Sequence, residues 1–331
     1  MTTLYLHIGP MKTGSTWLQT AFVANAETLG THNIAYPLVE DAGKAVNADQ
    51  RVMTGNALTL LDAPEKFAAK LGQNSGNPAR SVLFSSEVLF NRLSAADDLS
   101  FLCEGARAAG YDEIRILLFV RSPIPHVTSV WQQRVKGWQG ETQSLDAFAQ
   151  AGSDWPERTL KLVERLEKLP GVAVTLRNYD SHRKDLLSPV EEWLGMPAQT
   201  LARPAAETLN RSLTRSEVTL QRALNRQLGP SGKIFAFRLV NRIPEVAADA
   251  PRPSAAVAHR LMERHRNALD LIDARLPASE PVDRSVTALP DPAPPLCFSE
   301  AQLEVIAEGL SDYVNPSLKD RFKRVMRRIR G

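Results

Sequence analysis

Only two cysteines, Cys103 and Cys297, occur among 331 residues, and neither has a second cysteine or a histidine at a metal-binding spacing. A disulfide scaffold and a zinc module are thereby excluded, and a reducing compartment, by default the cytoplasm, is expected. Long apolar runs are also missing. The longest aliphatic-aromatic run, Ile116 to Val120, is far short of the roughly 20 residues that a membrane span requires. No basic segment leads into a long apolar stretch near the start, so a secretory signal is not expected. Charge of neither sign dominates, since 40 Lys and Arg face 37 Asp and Glu for a net +3. That balance lacks the bulk charge of a nucleic-acid-binding surface, and no nucleic-acid partner is expected. With 43% hydrophobic and 23% charged residues, the chain belongs with folded globular proteins rather than disordered ones.

The charge that is unbalanced lies at the end. From Lys319 onward seven basic residues face Asp320 alone, so this stretch carries +6 and the residues before it sum to −3. Phe322, Val325, Met326 and Ile329 recur at helical spacing within it. A short basic amphipathic helix is expected there. Its two expected destinations are an anionic membrane surface, which would make the protein peripheral at the inner membrane, and a face of its own domain or of a second subunit.

Strand-like runs at Leu4–Ile8, Ser81–Phe84, Ile114–Val120 and Val172–Leu176, with a short one at Asn33–Tyr36, alternate with helical patterns. Alternation of this kind predicts an α/β fold whose mainly parallel sheet is covered on both faces. After Asn210 the pattern is mostly helical. Residues 277–295 hold six prolines and are expected to be a loop or mobile linker.

In such folds ligands gather beyond the carboxyl ends of the strands. After the first run comes Gly9-Pro-Met-Lys12-Thr13-Gly14-Ser15-Thr16-Trp17. A glycine-bearing turn feeding a helix points backbone N–H groups at one spot, and the helix dipole, the Lys12 charge and the Ser15 and Thr16 hydroxyls add to the pull on an anion. The pattern is not a Walker A loop, because Lys12 precedes Gly14 instead of following it. The bland alternative is a plain tight turn with a solvated lysine. After the third long run comes Arg121-Ser-Pro-Ile-Pro-His126-Val-Thr-Ser129. Here the Arg121 guanidinium can fork onto a phosphate and Ser129 can add a hydroxyl; alternatively Arg121 pairs with a carboxylate. His7 is expected in the core, supporting the loop, and His126 is expected to face solvent.

The two motifs together resemble the PAPS-dependent sulfotransferases, whose donor is 3′-phosphoadenosine 5′-phosphosulfate. Lys12 to Trp17 looks like that family's 5′-phosphosulfate loop, and Arg121 with Ser129 has the spacing of its 3′-phosphate motif. Val135–Gly137, Ser144–Phe148, Arg177–Asp180, Asn210–Leu213 and the helical stretch 298–322 are similar to segments of the bacterial branch acting on saccharides or small hydroxylated molecules. The resemblance implies a P-loop NTPase-like three-layer α/β/α fold and transfer of a sulfuryl group from PAPS to a hydroxyl or amine, leaving adenosine 3′,5′-bisphosphate (PAP). One domain over 1–331 is expected, with 1–200 as the donor-binding core and 201–331 as a helical extension. The resemblance further suggests that Trp17 stacks on the adenine and that Arg211 with Ser212 closes over the donor. No metal is expected, because the sulfuryl group carries less charge than a phosphoryl group and no candidate strand ends in an aspartate.

A hydroxyl acceptor must lose a proton, and Glu87, just past the second long run, is the leading base, with Glu40 or Asp41 as rivals. All three are alternatively structural carboxylates or helix caps. Trp131 through Glu141 is expected either to line an acceptor cleft or to pack. Two other functions compete: a P-loop kinase of small molecules, and a nucleotide-binding protein without turnover.

Overall fold

The computed structural model describes residues 2–37, 55–57, 60–61, 66–75, 81–137, 139–152, 154–204, 211–246 and 249–315. Glu40, Asp41, Trp138, Asn210 and the basic segment from Lys319 lie outside them.

Five strands, β1 (Thr3–His7), β2 (Ile34–Ala35), β3 (Ser81–Ser85), β4 (Glu113–Val120) and β5 (Val172–Asn178), form one parallel sheet in the order β2-β3-β1-β4-β5. Helices α1 (Ser15–Ala24), α2 (Ala26–Thr31), α3 (Phe67–Ser75), α4 (Glu87–Ala95) and α5 (Ser100–Ala108) fall between the first four strands. Helices α6 (Pro123–Lys136), α7 (Leu145–Ala151) and α8 (Trp155–Leu166) separate β4 from β5. Then come α9 (Tyr179–His182), α10 (Leu187–Leu194), α11 (Arg215–Leu228), α12 (Lys233–Arg242), α13 (Ala255–Asp273) and α14 (Glu300–Val314).

Each position of β1 is buried, as a central parallel strand covered on both faces requires. Side chains of one parity, Tyr5, Leu83, Leu117 and Phe119, pack with Leu18 and Phe22 of α1 and Val190 and Trp193 of α10. Those of the other parity, Leu4, Leu6, Phe84 and Ile116, are equally buried, while α5 contacts β4 and α8 contacts β5. The expected α/β architecture is therefore present. Its order places β1 in the middle with its register set by both neighbours: His7 lies opposite Ser85 of β3 and Leu117 of β4. The chain leaves β1 toward β2 and β3 on one side and reaches β4 and β5 on the other. This reversal is the switch point beyond which open α/β sheets bind ligands.

The described residues cluster into two compact units that a single cut near residue 200 does not describe. The first draws on Met1–His126, Ser153–Glu207 and Met262–Ser285, the second on Val127–Gly152, Thr208–Leu261 and Val286–Gly331. In the second, Trp131 and Val135 of α6 and Leu145 pack with Leu213, Val218 of α11 and Val240 of α12. Apolar spacing marks each of these helices, but which helices share a core is settled by packing between residues far apart in sequence. Among the described residues no helix is long and apolar enough to cross a membrane.

The proline-rich stretch is a loop, as expected, but it is tied down along its length. In the first unit Glu280 accepts from Arg177 Nη1 at 3.0 Å and from the Asn178 amide at 3.2 Å, and lies 2.9 Å from His182 Nε2. The Val282 amide donates to Asp273 and Arg284 pairs with Asp270 and Asp273. In the second unit the Leu289 amide donates to Pro253 O, and the Cys297 amide to Ser216 Oγ. Prolines keep the loop from becoming an element without making it loose. Arg177 and Glu280 are both nearly buried, and Glu280→Ala removes the buried carboxylate of Arg177, leaving the guanidinium the exposed Glu192, 2.6 Å from Nη2, as its counter-charge. The expected loss is about 3 kcal/mol, read as a lowered urea midpoint at unchanged slope.

Candidate functional site

The carboxyl ends of β1, β3, β4 and β5 bring four short segments of the first unit to one edge of the sheet. The first is the loop between β1 and α1. The Ile8 amide still bonds Leu117 O at 2.9 Å, after which the chain turns through Gly9 and Pro10. Lys12 has φ +70° and Gly14 φ +86°, both in the left-handed region that favours glycine. A Cβ at Gly14 would lie 2.7 Å from Leu186 Cδ1 and 2.9 Å from Tyr179 Cε2, so this position excludes side chains by space as well as by backbone.

Three successive carbonyls of the loop are each held by a side-chain donor. Thr13 Oγ1 donates to Pro10 O at 2.8 Å, His126 Nε2 lies 3.0 Å from Met11 O, and Arg121 Nη1 donates to Lys12 O at 3.2 Å. In a trans peptide the N–H points opposite to the C=O, so the amides of Met11, Lys12 and Thr13 are turned away from these donors. Helix α1 then starts at Gly14 without a side-chain cap. Among the described residues, the amides of Thr13, Gly14, Ser15, Thr16 and Trp17 have no protein acceptor, the first intrahelical bond being Leu18 N to Gly14 O. Ser15 Oγ is buried and unpartnered. An uncapped helix head of this kind, with left-handed residues before it, is an anion-binding arrangement.

Lys12 is half-buried beside this helix head. Burial, opposed by Glu87 and reinforced by Arg121, holds its ammonium below the usual lysine range. A bound anion would relieve that penalty. Glu87 opens α4, where its charge also suits the helix N-terminus, while Ser86 caps the helix by accepting from the Val88 amide at 3.2 Å. The sheet thus brings the expected base and the expected lysine into one electrostatic field, although they are 75 residues apart. Glu40 and Asp41 fall outside the described residues. The end of β3 is positioned by Asn56, whose side chain donates to Leu83 O and accepts from the Ser85 amide. Its amide thereby acts as a short surrogate strand, which no sequence pattern signalled.

Arg121 is both paired and open. Its Nε donates to Asp180 at 3.2 Å and its guanidinium lies 5.0 Å from the Tyr179 ring centre. Asp180 also accepts from the Ser122 amide at 3.0 Å. The Nη2 group has no acceptor among the described residues. A strand-end aspartate does therefore exist, two residues past β5, contrary to the expectation from the sequence, and it is spent on orienting Arg121. The signal was present in Asn178-Tyr179-Asp180, but β5 is longer than its apolar run, so the turn falls later than expected. Ser129 is half-buried on α6 and belongs to the second unit.

Other expectations need correction. His126 does not face solvent: it is 3% exposed, packs against the Trp155 ring and anchors the loop. Arg211 does not have a free fork. Its N–H groups are engaged by both oxygens of buried Glu217 and by the carbonyls of Ile243, Ser212 and Leu239. A guanidinium has five N–H donors, so none is left for a phosphate. Of the two roles expected for Trp131, it takes packing: it is 2% exposed, with its indole donating to Gln143 O. Trp17, like Tyr179, is partly buried against the core that joins the sheet to α1 and α10, and Thr16 is exposed.

His7 is buried as expected, with Nδ1 2.7 Å from Ser85 Oγ. Burial pushes its pKa down to about 4, and burial together with the Arg121 and Lys12 charges pushes that of His126 down to about 3. An unfolded histidine protonates near pH 6.5. Between that value and the depressed ones the unfolded chain binds more protons, so stability falls as pH drops below about 6.5. Melting temperatures measured from pH 7.5 to pH 5 should decline accordingly, with a shallower slope in His126→Gln; equal slopes would contradict the assignment.

No protein-family profile and no curated protein matches the chain. Among solved structures, a "Sulfotransferase Domain from the Curacin Biosynthetic Pathway" is similar at 13% sequence identity and a TM-score of 0.39, covering 80% of this chain and 98% of that one. At that level the likeness carries no argument about residues or chemistry.

Proposed function

We propose that the protein is a sulfotransferase that moves a sulfuryl group from PAPS to a hydroxyl or amine of a saccharide or other small acceptor. The observation that carries this reading is the run of amides from Thr13 to Trp17 at the head of α1, which have no acceptor among the described residues, with the desolvated Lys12 charge beside it. The set fits a tetrahedral anion bearing several oxygens. When bound, PAPS supplies an activated sulfuryl group whose leaving partner is a phosphate. Lys12 and the amides of residues 13–17 hold the 5′-phosphosulfate and meet the charge that grows on the leaving oxygen. Ser15 Oγ supplies a further hydrogen bond. Trp17 is the proposed platform for the adenine. Arg121, held at Nε by Asp180, keeps its Nη2 end for the 3′-phosphate. Glu87 accepts the acceptor's proton on a carboxylate oxygen. The chemistry needs no metal in this scheme, and the reducing cytoplasm suits a chain with two free cysteines.

Two measurements test the scheme. Calorimetric titration of PAP and of adenosine 5′-phosphate should show a preference of at least about tenfold for PAP, since charge-assisted bonds contribute about 1.5–3 kcal/mol each. Arg121→Ala should remove most of that preference. Equal affinity of the wild type for both nucleotides would sink the donor assignment and return the kinase reading, which predicts ATP and magnesium dependence; PAP binding without transfer to any acceptor would favour a non-catalytic protein. In the second, Glu87→Gln should lower turnover about 10²-fold or more, and the same loss in Glu40→Gln alone would move the base to the earlier loop.

A further inference from the structure

We propose that His126 is a positioning residue for the anion loop, fixing the Met11–Lys12 peptide so that the Lys12 amide and side chain are presented to the bound anion. The inference rests on the sulfotransferase reading for the nature of the anion and on the loop geometry for the role of the histidine. Lys12 is a non-glycine residue at φ +70°, a strained conformation that persists only where surroundings over-determine it. Those surroundings are visible on both sides of the residue. The peptide before Lys12 is held through Met11 O by His126 Nε2 at 3.0 Å, and the peptide after it is held through Lys12 O by Arg121 Nη1 at 3.2 Å. One anchor therefore restrains φ and the other ψ.

His126 is built for a fixed role rather than an adaptable one. Its ring is 3% exposed and sits 5.1 Å from the Trp155 ring, centre to centre. Its backbone amide is held to Ser122 O at the start of α6. A carbonyl oxygen can only accept a hydrogen bond, so the proton that serves Met11 O is on Nε2, and the opposite nitrogen, Nδ1, is buried with no partner among the described residues. Burial and the two nearby cations keep the ring neutral at physiological pH, so the direction of its single donor does not change. Met11 contributes by its backbone alone, its side chain being 43% exposed. Nothing in this arrangement lets His126 reach a reacting atom, which is why positioning, not proton transfer, is the role assigned.

The test compares full-length wild type with His126→Leu, which lacks any donor, and His126→Gln, whose side-chain amide can reach toward the Nε2 position. Affinity for PAP, affinity for inorganic sulfate and melting temperature are measured for each. The expected result is at least a tenfold loss of PAP affinity in the Leu variant, a parallel loss for sulfate, and recovery of most of both in the Gln variant. If the Leu variant does not fold, His126→Asn, whose shorter amide cannot reach Met11 O, replaces it with the same expectation. A ¹⁵N spectrum of the wild-type imidazole should show the Nε2–H tautomer. Wild-type affinity in a folded Leu or Asn variant would overturn the positioning role while leaving the sulfotransferase reading intact. Failure of the wild type itself to bind PAP or sulfate would overturn both.

Discussion

A parallel sheet sends the carboxyl end of every strand to the same edge, and the chemistry proposed for this protein depends on that constraint. With β1 at the centre, the loop after it is flanked by the ends of β3 and β4, and the end of β5 lies one strand further out. Lys12, Glu87, Arg121 and Asp180 follow four different strands, yet Lys12 feels the charges of both Glu87 and Arg121, and Arg121 touches both Lys12 O and Asp180. The short loops leave little freedom to place these groups elsewhere. An antiparallel sheet of the same strands would have sent alternate loops to opposite edges.

Preorganisation then comes from how the loop's carbonyls are satisfied. Buried backbone acceptors must find donors, and here Thr13, His126 and Arg121 provide them one after another. The consequence is that amides rather than carbonyls remain available at the head of α1. A polar loop with its carbonyls unanchored would be free to flip peptides and turn oxygen toward an anion. The strained Lys12 backbone is the local cost of this arrangement, and the packed core formed by α1, α10 and the sheet bears it.

Charge placement separates two arginines that look alike in the sequence. Arg121 is oriented by one carboxylate on Nε and one carbonyl on Nη1, which aims the guanidinium and leaves Nη2 without an acceptor among the described residues. Arg211 is held by a buried carboxylate through two parallel bonds and by three carbonyls. The first pattern suits recognition of a phosphate. The second is a structural clamp within its own unit, and it links the segment before α11 to the end of α12.

The sequence by itself determined the α/β class, all five strands to within two residues, the strand–loop–helix character of residues 4–24 and the unusual placement of Lys12 before Gly14. These are local matters, set by apolar periodicity and by glycine and proline chemistry over a few neighbouring residues. It also placed Lys12, Glu87 and Arg121 at strand ends, because a strand end is visible as the place where an apolar run stops. Only the tertiary structure decided which of them meet. Asp180 is hidden in the sequence because its partner is 59 residues away, His126 because its place in the helix after Arg121 says nothing about what lies opposite it, and the engagement of Arg211 because Glu217 marks itself in sequence only as a helix-capping residue. Whether a charged side chain is free or spent depends on its partners across the fold, and those partners are fixed by the crossing of strands and helices rather than by neighbours in the chain.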